Sequence, residues 1–188
     1  MMSVISRLYV NALRRYPLAV QSFQAGILMG AGDVISQFVV EQKKFEQFQW
    51  QRTFRFFGLG TFFVGPTLGT WYGALHRHIG SGKGIVAVKK VAVDQLIFAP
   101  GFIAAFLTLL GMLEGNSFEV SQDMVRKKYK DILLANWSVW PAVQIFNFSF
   151  TPLQHQVLVV QVFALLWNTY LAWKTNLPTT PPETIADS

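Results

Sequence analysis

The sequence contains no cysteine among its 188 residues. Disulfide bonds, thiolate nucleophiles and metal centres with cysteine ligands are therefore excluded. Charged residues are also scarce, at 14% of the chain, whereas an average soluble domain has about 25%. Together with the 52% of residues that are hydrophobic, this shortage indicates a membrane protein.

Sequence motifs for enzyme chemistry are also missing. The chain has no phosphate-binding loop, no nucleophile elbow and no zinc-binding His-Glu-x-x-His helix. His76 and His78 lie two residues apart, so they would not share a helix face and are a poor metal site. We therefore predict a protein that is not an enzyme and that binds neither a metal nor a cofactor.

The net charge is +6, and the cations lie between hydrophobic segments rather than on one soluble face. This distribution favours contact with anionic lipid over direct binding of nucleic acid. The densest basic cluster is predicted to bind the head groups of anionic lipids, of which cardiolipin is one candidate. Its members are Arg126, Lys127, Lys128 and Lys130.

Long hydrophobic segments predict an all-α, polytopic transmembrane helix bundle. Four segments are long enough to cross a bilayer, or five if the helix between Asn136 and Pro152 also crosses. We expect an amphipathic N-terminal helix before the first span, a single membrane-embedded domain over residues 1–176 and a disordered tail over 177–188. The four predicted spans are about 18–40, 56–75, 91–113 and a final helix that ends at Trp173.

Glycines recur at a spacing of four residues in the first two predicted spans. Such spacing aligns small residues on one helix face, where a neighbouring helix can approach closely. The sequence therefore predicts that these glycines pack helices together. They are Gly26, Gly30, Gly65, Gly69 and Gly73.

Polar side chains interrupt the apolar segments at helical spacings. A carboxylate in mid-span costs about 2.5–3.5 kcal/mol on insertion scales, so these groups should face other helices or water. They either form hydrogen bonds between helices or line a pore, and Asp94 either pairs with Lys90 or places a charge at the pore mouth. The predicted polar seam consists of Asp33, Gln37, Asp94, Gln95, Gln144 and Asn147.

The C-terminal pattern W-x2-W-P-x2-Q-x2-N-F, followed by a proline and W-N-x-Y-L, resembles the signature of the Mpv-seventeen family. The first-span run AGILMGAGDVISQ is more similar to the mitochondrial member than to the twenty-two-kilodalton peroxisomal one. This chain has Gln154, His155 and Gln156 where the family commonly carries an arginine. The matching C-terminal residues are Trp137, Trp140, Pro141, Gln144, Asn147, Phe148, Pro152, Trp167, Asn168, Tyr170 and Leu171.

The resemblance implies a weakly selective channel of the mitochondrial inner membrane, with the peroxisomal membrane as the alternative location. It further implies an influence on membrane potential and support of mitochondrial DNA maintenance through deoxynucleotide supply. The expected partners are membrane lipids, small ions or metabolites and further copies of the chain. The alternative function is a lipid-binding or scaffolding membrane protein that does not conduct, because packing glycines and basic loops would serve that role equally well.

Overall fold

The computed structural model describes residues 11–12, 15–80, 84–150 and 153–177, with side chains described up to 146 and from 162 onward. The predictions of an amphipathic helix over the first residues and of a disordered tail beyond Leu177 lie outside this range. Every regular element in the described part of the chain is helical, which confirms the all-α class.

Seven α-helices lie in the described residues, and π-helical turns extend or join several of them. The turn Ser36–Val40 extends α1, the turn Gly60–Val64 joins α2 to α3, and the turn Asp94–Phe98 joins α4 to α5. The chain thus forms five continuous helical legs in the region described. The helices are α1 (Pro17–Ile35), α2 (Trp50–Leu59), α3 (Gly65–Ile79), α4 (Ile85–Val93), α5 (Ala99–Leu113), α6 (Phe118–Phe150) and α7 (Leu153–Asn176).

Two of the π-helical turns have a proline as their cause. The helices α3 and α5 each begin directly after such a turn. Pro66 is the second residue of α3, and Pro100 is the second residue of α5. A proline lacks a backbone donor, and its ring clashes with the carbonyl of the residue four positions earlier. The wider π-helical turn relieves that clash and leaves the helix continuous.

The five legs run back and forth between two ends of the bundle. Arg52 near the start of α2 contacts Asp33 near the end of α1 and Ala172 near the end of α7. Pro17 and Asn176 therefore lie at opposite ends. Two of the legs, Pro17–Val40 and Ile85–Leu113, are long and apolar enough to cross a membrane. The predicted count of four spans is not confirmed.

Apolar side chains fill the centre of the bundle and also cover its outside. Phe56, Phe106 and Ile132 are at most 2% exposed and belong to one core cluster. By contrast, Phe62 is 82% exposed and Leu96 is 69% exposed. Large apolar groups on an outer face of this kind mark a surface that meets lipid or a partner.

Helix α6 begins well before the sequence predicts. The sequence predicts a helix between Asn136 and Pro152, yet the chain is helical from Phe118 onward and continues through Pro141. The reason is a buried stripe at helical spacing that runs through the charged residues. Its members are Ser121, Val125, Lys128, Ile132 and Asn136.

The glycines divide into close contacts and open positions. A Cβ added to Gly65 would lie 2.3 Å from Ser22 Cα, and one added to Gly60 would lie 2.6 Å from Gly26 Cα. These distances place helix backbones in direct contact, as predicted for Gly26 and Gly65. The sequence does not single out Gly60, which completes the contact.

The predicted glycine stripe weakens toward the end of α3. A Cβ on Gly69 would meet the flexible Leu18 side chain at 2.6 Å, and one on Gly30 would make an ordinary 3.6 Å contact with Phe57. Among the described residues nothing lies within 4 Å of a Cβ on Gly73. No helix contact with the described residues is therefore assigned to Gly73, and its packing role stays a prediction.

Substitution of Gly65 by alanine should destabilise the protein by about 1–3 kcal/mol, the typical cost of overpacking. The new methyl group would press on the backbone of Ser22, which cannot rotate away. Gly73→Ala is the matched control on the same helix, and there the gain in helix propensity should leave stability unchanged or slightly higher. Thermal unfolding of the purified protein, followed by tryptophan fluorescence, measures both. Equal losses in the two variants would contradict the assigned helix contact.

Candidate functional site

The predicted polar seam separates into two clusters at different places in the bundle. Asp33 and Gln37 belong to one, here called the Arg52 cluster. Asp94 and Gln95 belong to the other, here called the Asp94 cluster, and Gln144 lines a cavity with them. The side chain of Asn147 lies outside the described residues.

The Arg52 cluster is a buried ion pair at the junction of α1, α2 and α7. Arg52 Nε lies 2.5 Å from Asp33 Oδ1, at an angle too bent for a hydrogen bond. Arg52 also donates two parallel hydrogen bonds to Glu41, of 2.9 and 2.7 Å. Both Asp33 and Arg52 are at most 3% exposed, so each charge is neutralised within the protein.

Amide and hydroxyl groups satisfy the other oxygen of Asp33. Gln37 Nε2 donates to Asp33 Oδ2 at 2.9 Å, and Thr53 Oγ1 donates to the same oxygen at 2.6 Å. The Gln37 side-chain carbonyl accepts from the backbone N–H of Gln49 at 2.8 Å. The cluster is therefore a connected network that fixes the start of α2 against the end of α1.

Arg52 also reaches the last turn of α7. It donates to Ser36 Oγ at 3.1 Å and to the carbonyl oxygen of Ala172 at 3.1 Å. Arginine suits this role because its planar guanidinium has five donors in a fixed arrangement. The geometry supports a structural function for Asp33 and Gln37, as hydrogen-bond partners between helices rather than as residues that line a pore.

Glu41 lies beyond the apolar part of its leg and completes the cluster. Burial alone would raise the pKa of Glu41, but hydrogen bonds from Arg52, Lys43 and Ser36 and the charge of Arg52 lower it to about 2. The carboxylate thus stays ionised over the physiological pH range.

The Asp94 cluster joins the α4–α5 leg to α3 and α6. Trp71 Nε1 donates to Asp94 Oδ1 at 2.8 Å, and Gln95 Nε2 donates to Asp94 Oδ2 at 2.8 Å. Asn136 Nδ2 in turn donates to Gln95 Oε1 at 2.6 Å. Trp137 Nε1 donates to the backbone carbonyl of Gln95 at 2.8 Å, an acceptor in the π-helical turn.

Asp94 differs from Asp33 in having only neutral donors. The ion pairs found between described residues do not include Asp94, so the predicted pairing with Lys90 is not formed. Asp94 is only 5% exposed. A carboxylate held inside an apolar bundle without a cation is costly, which marks it as a functional candidate.

A small cavity of about 80 Å³ adjoins this carboxyl group. Gln144 and Trp140 of α6 line it opposite Asp94, and Phe102 and Ile103 close it with apolar surface. The volume and the polar groups suffice for a few water molecules. Asp94, Gln95 and Gln144 line the same cavity, as expected for members of one polar seam.

The family-motif residues hold α6 and α7 to their neighbours. The rings of Trp140 and Trp167 meet edge to face, with centroids 6.2 Å apart. Asn168 lies against α1, where a Cβ on Gly32 would be 2.7 Å from Asn168 Cβ. Pro141 lies inside α6. Pro152, the side chain of Phe148 and the stretch from Gln154 to Gln156 lie outside the described side chains.

The predicted lipid-binding cluster is not a uniform surface. Arg126, Lys127 and Lys130 are exposed, whereas Lys128 is 8% exposed. Lys128 Nζ donates to the carbonyl oxygens of Thr175 and Leu177. It thereby satisfies carbonyls that the end of α7 leaves without helical partners. Lys128 thus caps the end of α7 and, unlike the other three cations, is not free at the surface.

Several residues of these clusters are not among the predicted site residues, notably Arg52, Trp71 and Asn136. The requirement that a mid-span carboxylate finds a cation would have pointed to Arg52, since four cations follow α1 within a short stretch. Those four are Lys43, Lys44, Arg52 and Arg55.

No group of three or more His, Asp or Glu residues in the described part of the chain could hold a metal ion.

Replacement of Arg52 by methionine should destabilise the protein by about 3–5 kcal/mol, because it leaves Asp33 buried without a cation. Arg55→Met is the matched control. Arg55 is 29% exposed and lies 3.9 Å from Glu114, so its loss should cost less than about 1 kcal/mol. Addition of Asp33→Asn to Arg52→Met should restore part of the stability, as measured by thermal unfolding. Equal effects of the two arginine substitutions would refute the assigned ion pair.

The stabilisation by Glu41 should depend on pH. Because its pKa is depressed in the folded protein, the contribution is complete above the ordinary value of 4.5 and decreases as the pH falls towards about 2. The difference in melting temperature between wild type and Glu41→Gln should therefore be constant near pH 7 and narrow on acidification. Glu119→Gln, at an exposed position, is the control and should show no such difference. A wild-type advantage that grows on acidification would contradict the assignment.

Comparison with known proteins extends these observations. A family model described as the Mpv17 / PMP22 family matches residues 111–172. The chain is 46% identical over 176 residues to the mitochondrial inner membrane protein Mpv17 of Xenopus laevis, which covers 93% of this chain and 99% of that protein. It is 43% identical over 170 residues to the human protein of the same name, which covers 90% of this chain and 97% of that protein.

A fungal relative is more distant. Protein SYM1 of Gibberella zeae is 37% identical over 174 residues, which covers 92% of this chain and 98% of that protein. No solved structure matches the chain. The likeness to the mitochondrial inner membrane proteins confirms the location expected from the first-span motif. The chain belongs to the Mpv17 / PMP22 family and is a membrane protein of the mitochondrial inner membrane.

Proposed function

We propose that the protein is a weakly selective pore whose path passes the Asp94 cluster. The observation that carries this proposal is Asp94 itself, a buried carboxyl group that neutral donors hold beside a polar cavity. A carboxylate in such a place attracts cations and repels anions. Gln95 and Gln144 supply the further polar surface that a permeating ion needs after it loses water.

The pore is closed in the conformation described. A cavity of about 80 Å³ holds a few waters but is too small for a continuous aqueous path through the bundle. Conduction requires that α6 moves away from the α4–α5 leg, which would widen the space between Gln144 and Asp94. The Arg52 cluster lies outside this path and keeps the remaining helices together.

The proposed physiological role follows from the family resemblance. Passage of ions lowers the membrane potential, and passage of metabolites would support deoxynucleotide supply and so the maintenance of mitochondrial DNA. The exposed cations Arg126, Lys127 and Lys130 would contact anionic lipid, with cardiolipin as the expected ligand. The proposal includes no catalytic step.

A second candidate is a lipid-binding or scaffolding protein that does not conduct. The direct backbone contacts of Gly26 with Gly60 and of Gly65 with Ser22 favour it, because tight packing stabilises a single arrangement of helices. In that case the Asp94 cluster would serve only to connect α3, α4 and α6.

Single-channel recording of the purified protein in planar bilayers distinguishes the two. In the pore, Asp94→Asn should lower the ratio of cation to anion permeability towards one, because it removes the charge and keeps the side-chain shape. Glu119→Gln removes an exposed carboxylate of α6 and should leave the ratio unchanged.

Asp33→Asn provides the second control, because it should lower the melting temperature while the ratio stays at the wild-type value in the folded fraction. If Asp33→Asn changed the permeability ratio and Asp94→Asn did not, the path would not pass Asp94. A silent bilayer from well-folded protein, with cardiolipin present, would favour the scaffold.

A further inference from the structure

A second, larger cavity lies at the end of the bundle that holds Lys128. It has a volume of about 460 Å³ and lies between the turn that joins α5 to α6 and the last residues of α7. Its charged lining residues are Glu114, Asp123, Lys127 and Lys128. The proposed pore path does not pass these residues, and ligand binding at this cavity does not depend on conduction.

The charges around this cavity balance, with two lysines and two carboxylates. A ligand with only negative charge would meet the carboxylates as well as the lysines. A zwitterion that carries a phosphate and an ammonium group satisfies both signs at once. The balance therefore favours a zwitterionic ligand.

Both kinds of charge have unused capacity. Lys128 donates two of its three ammonium hydrogens to backbone carbonyls, which leaves the third, and Lys127 is exposed. Glu114 has Arg55 as an ion-pair partner only at 3.9 Å. Burial raises the pKa of Glu114 despite the nearby charges of Arg55, Lys128 and Arg52. An ammonium donor would relieve that carboxylate.

The lining also selects the kind of ammonium group. Quaternary ammonium groups such as choline have no N–H to donate and are recognised by aromatic faces. The described residues that line this cavity include no aromatic side chain. They include the acceptors Glu114, Asp123 and Asn116, which suit a primary ammonium with three N–H donors.

Apolar side chains at the same corner indicate that the ligand is a lipid. Met112, Leu113 and Phe118 are 47%, 52% and 60% exposed, and they flank the turn that carries Glu114. Val120, which lines the cavity, is 50% exposed. Acyl chains can cover such groups, whereas a free soluble phosphate compound cannot.

We propose that this cavity binds the phosphoethanolamine head group of a membrane lipid, with the phosphate on Lys127 and Lys128 and the ammonium on Glu114. The other exposed cations of the same helix, Arg126 and Lys130, do not line the cavity and contact anionic lipid non-specifically. It would tie the end of α7 to the bilayer surface through Lys128.

The test is native mass spectrometry of the full-length protein, titrated in detergent with lipids that have identical acyl chains and different head groups. Phosphatidylethanolamine should bind about tenfold more tightly than phosphatidylcholine, the difference expected for loss of a charge-assisted hydrogen bond. Glu114→Gln should reduce that preference by a similar factor. Lys127→Ala should weaken the binding of both lipids, because both carry the phosphate. Glu119→Gln and Lys130→Ala are matched controls on α6 that do not line the cavity, and they should retain both the affinity and the preference.

Three results would overturn the proposal. The first is equal affinity for the two lipids in the wild type. The second is equal loss in the cavity variants and the controls. The third is full competition by soluble phosphoethanolamine at the same concentration as the lipid, which would show that the acyl chains contribute nothing. Thermal unfolding of each variant in detergent shows which of them remain folded and are suitable for the comparison.

Discussion

The ion pair between Arg52 and Asp33 is the constraint on which the rest of the bundle depends. A carboxylate in an apolar helix must be neutralised, and here a single guanidinium neutralises it while it also binds Glu41 and the Ala172 carbonyl. Legs that are far apart in sequence are thereby held at one end. Because this end is fixed by charges with almost no exposure, the energetic cost of separating its helices is high.

The prolines act on the bundle in a different way. Each π-helical turn before Pro66 or Pro100 adds a residue to the helical repeat, so the face presented to the neighbours changes at that level. In the second leg the turn begins at Gly60, which packs against Gly26. In the third leg the turn contains Asp94 and Gln95, and both are buried.

Much of the architecture could be predicted from local patterns, whereas the pairing of polar groups could not. Apolar length and Pro17 define the first span from the sequence alone, since both act within one helix. The sequence predicts a helix in this leg only from Asn136, because the buried stripe that contains Val125 and Ile132 runs through a segment of charged residues. The partners Arg52 and Asp33 are separated by a loop, and no local periodicity relates them.

The two buried aspartates show why residue type alone does not identify a site. Both interrupt apolar helices, and the sequence predicts that both belong to one polar seam. In the structure, Asp33 has a cation within 2.5 Å, whereas Asp94 has only neutral donors. A neutralised carboxylate contributes little field to its surroundings, while one without a cation keeps its charge available to a mobile ion. The bonds of Arg52 reach α1, its π-helical extension and α7, but not the leg that carries Asp94. In the proposed pore, α6 can therefore separate from that leg without breaking the Arg52 ion pair, which is what a gated path past Asp94 requires.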